Sequence, residues 1–578
     1  MDTSMNTSLD TSMDTSSYDV VIVGAGVAGA LAACRIKESR PHARVLLIDA
    51  GDNAIDTTQR AAFVDAYQLS AAKNVPSPYA ALRNNKDGYA PSSDGVGDPV
   101  AMNRYYVETG PDLYKSGFQR MVGGSTWAWR GNSPRFLPSD FEMKTRFGVA
   151  VDWPLTYNDL EPFYAQAENE LGVSGNRTEW ETATPRSTDF PMPGIVPSYG
   201  DELVRTALAS LTEIDEVPVT VVTTPQARNT RDYQGRPACQ GNSSCIPVCP
   251  SGAKYDASVH VRRARDELGV EVRTGCTVTR LAPRPGTASP TVVFRDWTTT
   301  DRPEQQVNGT HIVLALNAIE TPKLWLISGL DNRSDQVGRN LMDHLAEEVV
   351  GLFGQPVFPF RGPQSTLSIE TFRDGDWRRT TGAFRMTIGN DGWGRFESPG
   401  AALDKLMWDP AAKRLRHYGD DLRDKLAERV TRMMRIGYST EQLPDPANRV
   451  TLSDQRDQLD VPRPKIAFRI DDYSKRALAY GHSVARRIWE HLEHTAGAEE
   501  VEPLQPSLKY NGAGHPMGTT RMGTDRATSV VDADGRSHAH PGLWIVGNSV
   551  FPTGSTANPT LTLAALTLRT ADKLAATL

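Results

Sequence analysis

An α/β fold, α+β overall, opening on a parallel, doubly wound sheet, is predicted for this chain by three observations at its start. The run YDVVIVG at 18–24 is continuously apolar apart from Asp19, as a strand buried on both faces must be. It leads into GAGVAGALAACRI at 24–36, where Gly24, Gly26 and Gly29 have the spacing of a tight turn followed by a helix packed close on its strand. A second apolar run, RVLLIDAG at 44–51, ends in Asp49, twenty residues after Gly29.

Strand, glycine turn, helix, strand and acid together are the fingerprint of dinucleotide binding. The first glycine makes the turn, the second lets backbone approach a pyrophosphate, the third seats the helix, and the acid accepts from ribose hydroxyls. The helix N-terminus then faces the phosphates. FAD and NAD both use this unit, so the pattern alone leaves them undistinguished. An ordinary glycine-rich turn is the plain alternative.

The chain has 578 residues, enough for two large cores with a cleft between them. Its 63 basic and 70 acidic side chains give a net charge of −7, with both signs interspersed, which argues against nucleic acid as a partner. No apolar run approaches the length of a membrane-spanning helix; HIVLAL at 311–316 stops at Asn317. The N-terminus, MDTSMNTSLDTSMDTSS, repeats small polar and acidic residues without a basic or apolar export region. Residues 1–17 therefore read as a disordered tail and the chain as cytoplasmic by its own sequence, reaching the periplasm only if exported with a partner.

From residue 511 the chain reads NGAGHPMGTTRMGTDRATSVVDADGRSHAHPGLWIVGNSVFPTGSTANPTLTLAALTLRTADKL. This segment resembles the C-terminal pattern of the glucose-methanol-choline oxidoreductase family. The likeness continues through RMVGGSTWAWRGNSPRF at 120–136, DWPLTYNDLEPFYAQAENELGVSG at 152–175, NAIETPKLWLISGL at 317–330 and VGRNLMDH at 337–344. It spans nearly all of the chain beyond the tail. Within the family the sequence is most similar to catalytic subunits of bacterial FAD-dependent sugar and gluconate dehydrogenases.

The resemblance implies oxidation of a sugar or polyol hydroxyl by hydride transfer to flavin N5. It places His515 as the base and Asn558 as the residue orienting the hydroxyl. Histidine suits that task because its ordinary pKa lies near neutrality. A loop histidine capping a turn before Pro516 is the plain reading of the same residue. Asn558 also reads as an N-cap, with Pro559 at the first helical position. For FAD the resemblance adds Gly123, Gly124, Ser125 and Thr126 near the ring, Gly547 and Asn548 near the phosphates, Val278 near adenine, and Pro559 and Thr560 at the last helix. Pyranose oxidases anchor flavin on a histidine where this chain has Ala128, which implies non-covalent FAD. The family's usual Gly before AIETP is Asn317 here, which leaves that turn's geometry open.

Cys239, Cys245 and Cys249 lie within ACQGNSSCIPVCPSGAKY, spaced C-x5-C-x3-C-P. That is no standard zinc spacing, and soft thiolates followed by Pro are compatible with an iron-sulfur cluster. Three free thiols, or one disulfide and a spare, remain open. Related sugar dehydrogenase subunits carry a [3Fe-4S] cluster on a similar segment. The resemblance thus implies transfer to a non-oxygen acceptor such as cytochrome c, with a small partner subunit. A sugar oxidase using oxygen, a lyase of the same fold and a non-catalytic electron relay are the competing readings.

The FAD-binding domain is expected from 18–60, 116–150, 236–345 and 510–578. A substrate domain on an antiparallel sheet is expected from 61–115, 151–235 and 346–509, with helices over DLRDKLAERVTRMMRI and YSKRALAYGHSVARRIWEHLEHTAG. The Pro- and Gly-rich stretch 73–99 reads as a lid or a surface excursion. His344, His538 and His540 read as structural.

Overall fold

The computed structural model describes residues 17–51, 54–69, 105–246, 248–296, 299–390, 403–404, 406–457, 459–500 and 510–578. Most of the N-terminal tail and the stretch 73–99 lie outside these residues.

Two sheets organise the molecule, and the chain passes between them repeatedly. In the first, the strand Ser17–Val23 lies parallel between Val45–Ile48 and Glu304–Leu314. Glu271–Arg273 continues the parallel order beyond Val45–Ile48, and Leu543–Ile545 adds beside Glu304–Leu314. The strand Glu304–Leu314 is long because it does two jobs. Its C-terminal half joins the parallel layer while its N-terminal half pairs antiparallel with Thr291–Asp296, which pairs with Cys276–Ala282. Val20, Val21, Ile22, Leu46, Leu47 and Ile312 are fully buried, as strands covered on both faces require.

The helix Val27–Ser39 follows the glycine turn and packs against the C-terminal helix Thr560–Ala575. Gly29 sets how closely that helix approaches: a Cβ there would sit 1.8 Å from the Gly24 carbonyl oxygen.

The second sheet is antiparallel, in the order Glu499–Glu500, Leu345–Leu352, Met433–Thr440, Phe384–Gly389, Leu367–Ile369, Val221–Thr223, with Asn511–Gly512 also beside Leu345–Leu352. The helix Asp472–Ala496 covers it with a stripe that includes Leu478, Ala485, Ile488, Trp489 and Leu492. Asp471 caps that helix, its side chain accepting from the Ser474 N–H.

One expected helix is shorter than the sequence suggests. DLRDKLAERVTRMMRI reads helical to its end, yet the helix Gly419–Arg432 stops and Met433–Thr440 is a strand. That segment pairs along its length with strands on both sides, so ladder bonds and burial outweigh local helix preference. No helix among the described residues is long and apolar enough to cross a membrane.

Candidate active site

A cavity of about 650 Å³ runs from the glycine turn to the antiparallel sheet. That is within the range of small-molecule and cofactor sites. At one end it is lined by Gly24, Gly26 and Asp49, then by Gly124, Ser125 and Thr126, with Val278, Gly547, Asn548, Pro559 and Thr560 along its sides. Gly29 and Gly123 are not at its surface. Gly29 packs the helix on the turn, and Gly123 adopts a left-handed backbone (φ 89°) while its N–H donates to the Ala25 carbonyl.

These residues fit a dinucleotide. A Cβ on Gly26 would meet no protein atom within 4 Å, although Gly26 lines the cavity, so protein packing does not explain the glycine. The side-chain oxygen of Asn548 is buried without a partner, as a group meant for a ligand would be. Each oxygen of Asp49 already accepts one backbone N–H, from Ala25 at 2.7 Å and Gly51 at 2.7 Å. A carboxylate oxygen has a second lone pair, so both bonds leave room for a ribose hydroxyl. Arg120, half-buried near Asp49, also lines this end; it opens RMVGGSTWAWRGNSPRF, where the sequence assigns it no role.

The opposite wall is the antiparallel sheet. Arg385 and Thr387, and Arg435, Gly437 and Ser439, line the cavity at alternate positions of their strands.

Between the two ends stand His515 and Asn558. His515 follows the short strand Asn511–Gly512, which pairs with Leu345 and Ala346. Met342 and Met517 exchange two backbone hydrogen bonds of 3.0 Å. This antiparallel register sets His344 opposite His515, with Nδ1 of each ring 2.9 Å apart and the rings edge to face. Asn558 lies two residues before the C-terminal helix, its Nδ2 3.4 Å from Nε2 of His515. Arg385 donates to Oδ1 of Asn558 at 2.7 Å and is itself held by Glu370 at 2.5 Å. Asn558 therefore does not cap its helix, and Pro559 occupies the cap position rather than the first helical turn.

Electrostatics favour a neutral imidazole. Burial, then His344 and Arg385, hold His515 well below the usual histidine value. Burial takes His344 down to about 4 and pushes the Asp343 carboxyl up to about 6. Neither His344 nor Asp343 stood out as functional in the sequence, although both belong to VGRNLMDH.

Asn317 resolves the question its substitution raised. Its Oδ1 accepts from the N–H groups of Ile319 at 2.8 Å and Glu320 at 3.0 Å, so the side chain itself closes the turn before the helix Glu320–Ile327.

The cysteines are different. Cys239, Cys245 and Cys249 are free thiols, and among the described residues no three His, Cys, Asp or Glu side chains converge as metal ligands would. Ser243 and Ile246 of their segment reach the cavity wall. The Lys254 ammonium is buried among them, donating to the carbonyls of Trp127 at 2.7 Å, Trp129 at 2.6 Å and Cys245 at 2.8 Å. Burial raises the Cys249 thiol, but Lys254, the Ser251 hydroxyl and Arg60 together more than offset this and leave it below its ordinary value.

Comparison with known proteins places this arrangement in context. Residues 223–346 and 444–567 match the N-terminal and C-terminal GMC oxidoreductase profiles. The chain is 33% identical to the fructose dehydrogenase large subunit of Gluconobacter japonicus, over 96% of this chain and 98% of that protein. It is 30% identical to paromamine 6'-oxidase of Streptomyces fradiae, over 96% and 91%. The crystal structure of pyridoxine 4-oxidase from Mesorbium loti superposes with a TM-score of 0.64 at 18% identity, covering 96% of this chain and 99% of that one.

Proposed function

The chain belongs to the GMC oxidoreductase family, whose members act on CH–OH donors with FAD, and from that premise we propose that it oxidises a sugar hydroxyl to a carbonyl and passes the electrons to an acceptor other than oxygen. The observation that carries this reading is the pairing of His515 Nε2 with the Asn558 amide, 3.4 Å apart, inside the cavity that begins at the glycine turn.

FAD bound along that turn supplies the hydride acceptor. His515, kept neutral at rest by its burial, takes the hydroxyl proton at Nε2. Asn558, its amide fixed by Arg385, orients the hydroxyl toward that nitrogen. The polar sheet wall of Thr387, Arg435 and Ser439 suits a ligand bearing several hydroxyls.

A [3Fe-4S] cluster, a small subunit and cytochrome c belong to the finer form of the proposal. The likeness to a protein named as a large subunit supports a partner chain. Among the described residues the cysteines as placed do not converge as a cluster's ligands would. Iron and acid-labile sulfide analysis of the purified protein decides its presence.

The test is an anaerobic screen of sugars against the purified flavoprotein, followed by oxygen uptake and dye reduction with the best substrate. Bleaching by a sugar with dye reduction faster than oxygen uptake is expected. The oxidase reading, favoured by the likeness to an enzyme named as an oxidase, requires peroxide release at the rate of turnover. Failure of every sugar and polyol to bleach the flavin overturns both.

A further inference from the structure

We infer that His344 is a positioning residue that fixes the tautomer of His515, leaving a bare lone pair on Nε2 where the substrate proton is to go. The inference rests on the proposed role of His515 as base.

The argument is a count of donors and acceptors along one chain of contacts. Nε2 of His344 is 3.1 Å from the Gly554 carbonyl, which only accepts, so Nε2 carries hydrogen. His344 is buried and neutral, so its Nδ1 is then bare. That nitrogen is 2.9 Å from Nδ1 of His515, and a bare nitrogen facing a nitrogen at this distance needs a hydrogen from the other side. His515 therefore carries its hydrogen on Nδ1 and is bare at Nε2.

The opposite end gives the same answer independently. Arg385 has donors alone, so the Asn558 atom 2.7 Å away is oxygen, and the amide NH2 faces His515 Nε2. A donor there requires an acceptor. The Gly554 carbonyl and the Arg385 guanidinium, reaching the ring pair from different elements, thus impose one proton arrangement on His515. A ring free to exchange tautomers would present N–H to the substrate hydroxyl part of the time, and in that state it accepts no proton.

Substitutions at 344 separate this from a packing role. His344→Asn retains an acceptor near the Nδ1 position and gives up the Gly554 bond. His344→Gln reaches Gly554 and offers His515 no acceptor. The measurement is the limiting rate of anaerobic flavin bleaching by the best sugar, with FAD content and sugar affinity recorded for each variant. His344→Asn is expected within about threefold of the parent, and His344→Gln slower by about tenfold or more through an orphaned buried N–H, at unchanged sugar affinity. A Gln variant as fast as the Asn variant overturns the inference. His515→Ala is run beside them: if it too bleaches at the parent rate, the base assignment itself falls, whereas loss in His515→Ala alone removes only the role of His344. Nitrogen-15 spectra of histidine-labelled protein read the tautomer without turnover. A signal lost in His515→Ala with hydrogen on Nδ1 is expected, and one with hydrogen on Nε2 overturns the inference.

Discussion

Oδ1 of Asp343 accepts the backbone N–H of His515 at 2.9 Å, while the same oxygen accepts the N–H of His344 at 2.7 Å. One buried oxygen thus anchors the main chain of two residues 171 positions apart, whose side chains also meet.

Removing that anchor has a calculable effect. Asp343→Ala leaves two buried N–H groups without an acceptor, and each costs about 1–3 kcal/mol. Asp343→Asn keeps an oxygen in place. Denaturant unfolding is expected to show a loss of about 2 kcal/mol or more for Ala and a much smaller one for Asn. Equal losses in both would mean that charge, not acceptance, is what the site requires.

The glycine turn separates two reasons for glycine. Gly29→Ala drives Cβ to within 1.8 Å of a backbone oxygen, a clash the helix relieves only by moving off its strand, at ~3 kcal/mol or more. Gly26→Ala meets no protein atom, so the apoprotein should melt where the parent does. Its FAD affinity should fall sharply, because the added methyl projects into cofactor space. Flavin fluorescence titration and thermal melting of apoprotein check the pair; an unchanged FAD affinity for Gly26→Ala would contradict the assignment.

The pH dependence has a defined sign. Burial, together with His344 and Arg385, holds His515 well below 6.5, so the ring is neutral from 6.5 upward and the rate of anaerobic bleaching should be flat there. The unfolded chain takes up a proton at 515 near 6.5 while the folded chain does not, so this residue's contribution to stability is lost as pH falls below 6.5. His344, brought down to about 4, acts in the same direction. Asp343, raised to about 6, acts oppositely: what it contributes is present below its unfolded value and lost as pH rises through 6. A rate profile with its acid limb centred above 7 would show that His515 is charged at rest.

Arg385 fixes Asn558 and is fixed by Glu370. Arg385→Met removes the bond that orients the amide and leaves the Glu370 carboxylate with Arg373 as its charged neighbour. The bleaching rate should fall about tenfold or more, with FAD content retained. Restoring most of the rate with Lys would point to charge rather than to the fork of the guanidinium as the effective property.

The parts of this architecture legible in the sequence are those in which neighbours along the chain do the work. YDVVIVG and the glycines after it announce their strand and turn because burial on both faces and close helix approach restrict residue type locally. Met433–Thr440 was hidden, since what makes it a strand is its two flanking partners, both distant in sequence. His344 was passed over for a related reason: its contacts with His515 and Gly554 join it to segments 171 and 210 residues away. Arg120 opens RMVGGSTWAWRGNSPRF and Arg385 stands in none of the segments that resemble the family, but in neither case does the sequence say that the arginine faces a cavity. The C-x5-C-x3-C spacing shows the reverse limit, because spacing alone does not say whether three sulfurs meet.

His515 follows a short strand of the antiparallel sheet, whereas Asn558 leads into the helix that packs on Val27–Ser39 beside the parallel one. The 3.4 Å contact between them is therefore a gauge laid across the seam of two separately built layers. A slip of one layer past the other by about an ångström would take ring and amide out of hydrogen-bond reach. Substitutions remote from the cavity that loosen this seam should register in the rate of the chemical step while leaving the melting of each layer intact.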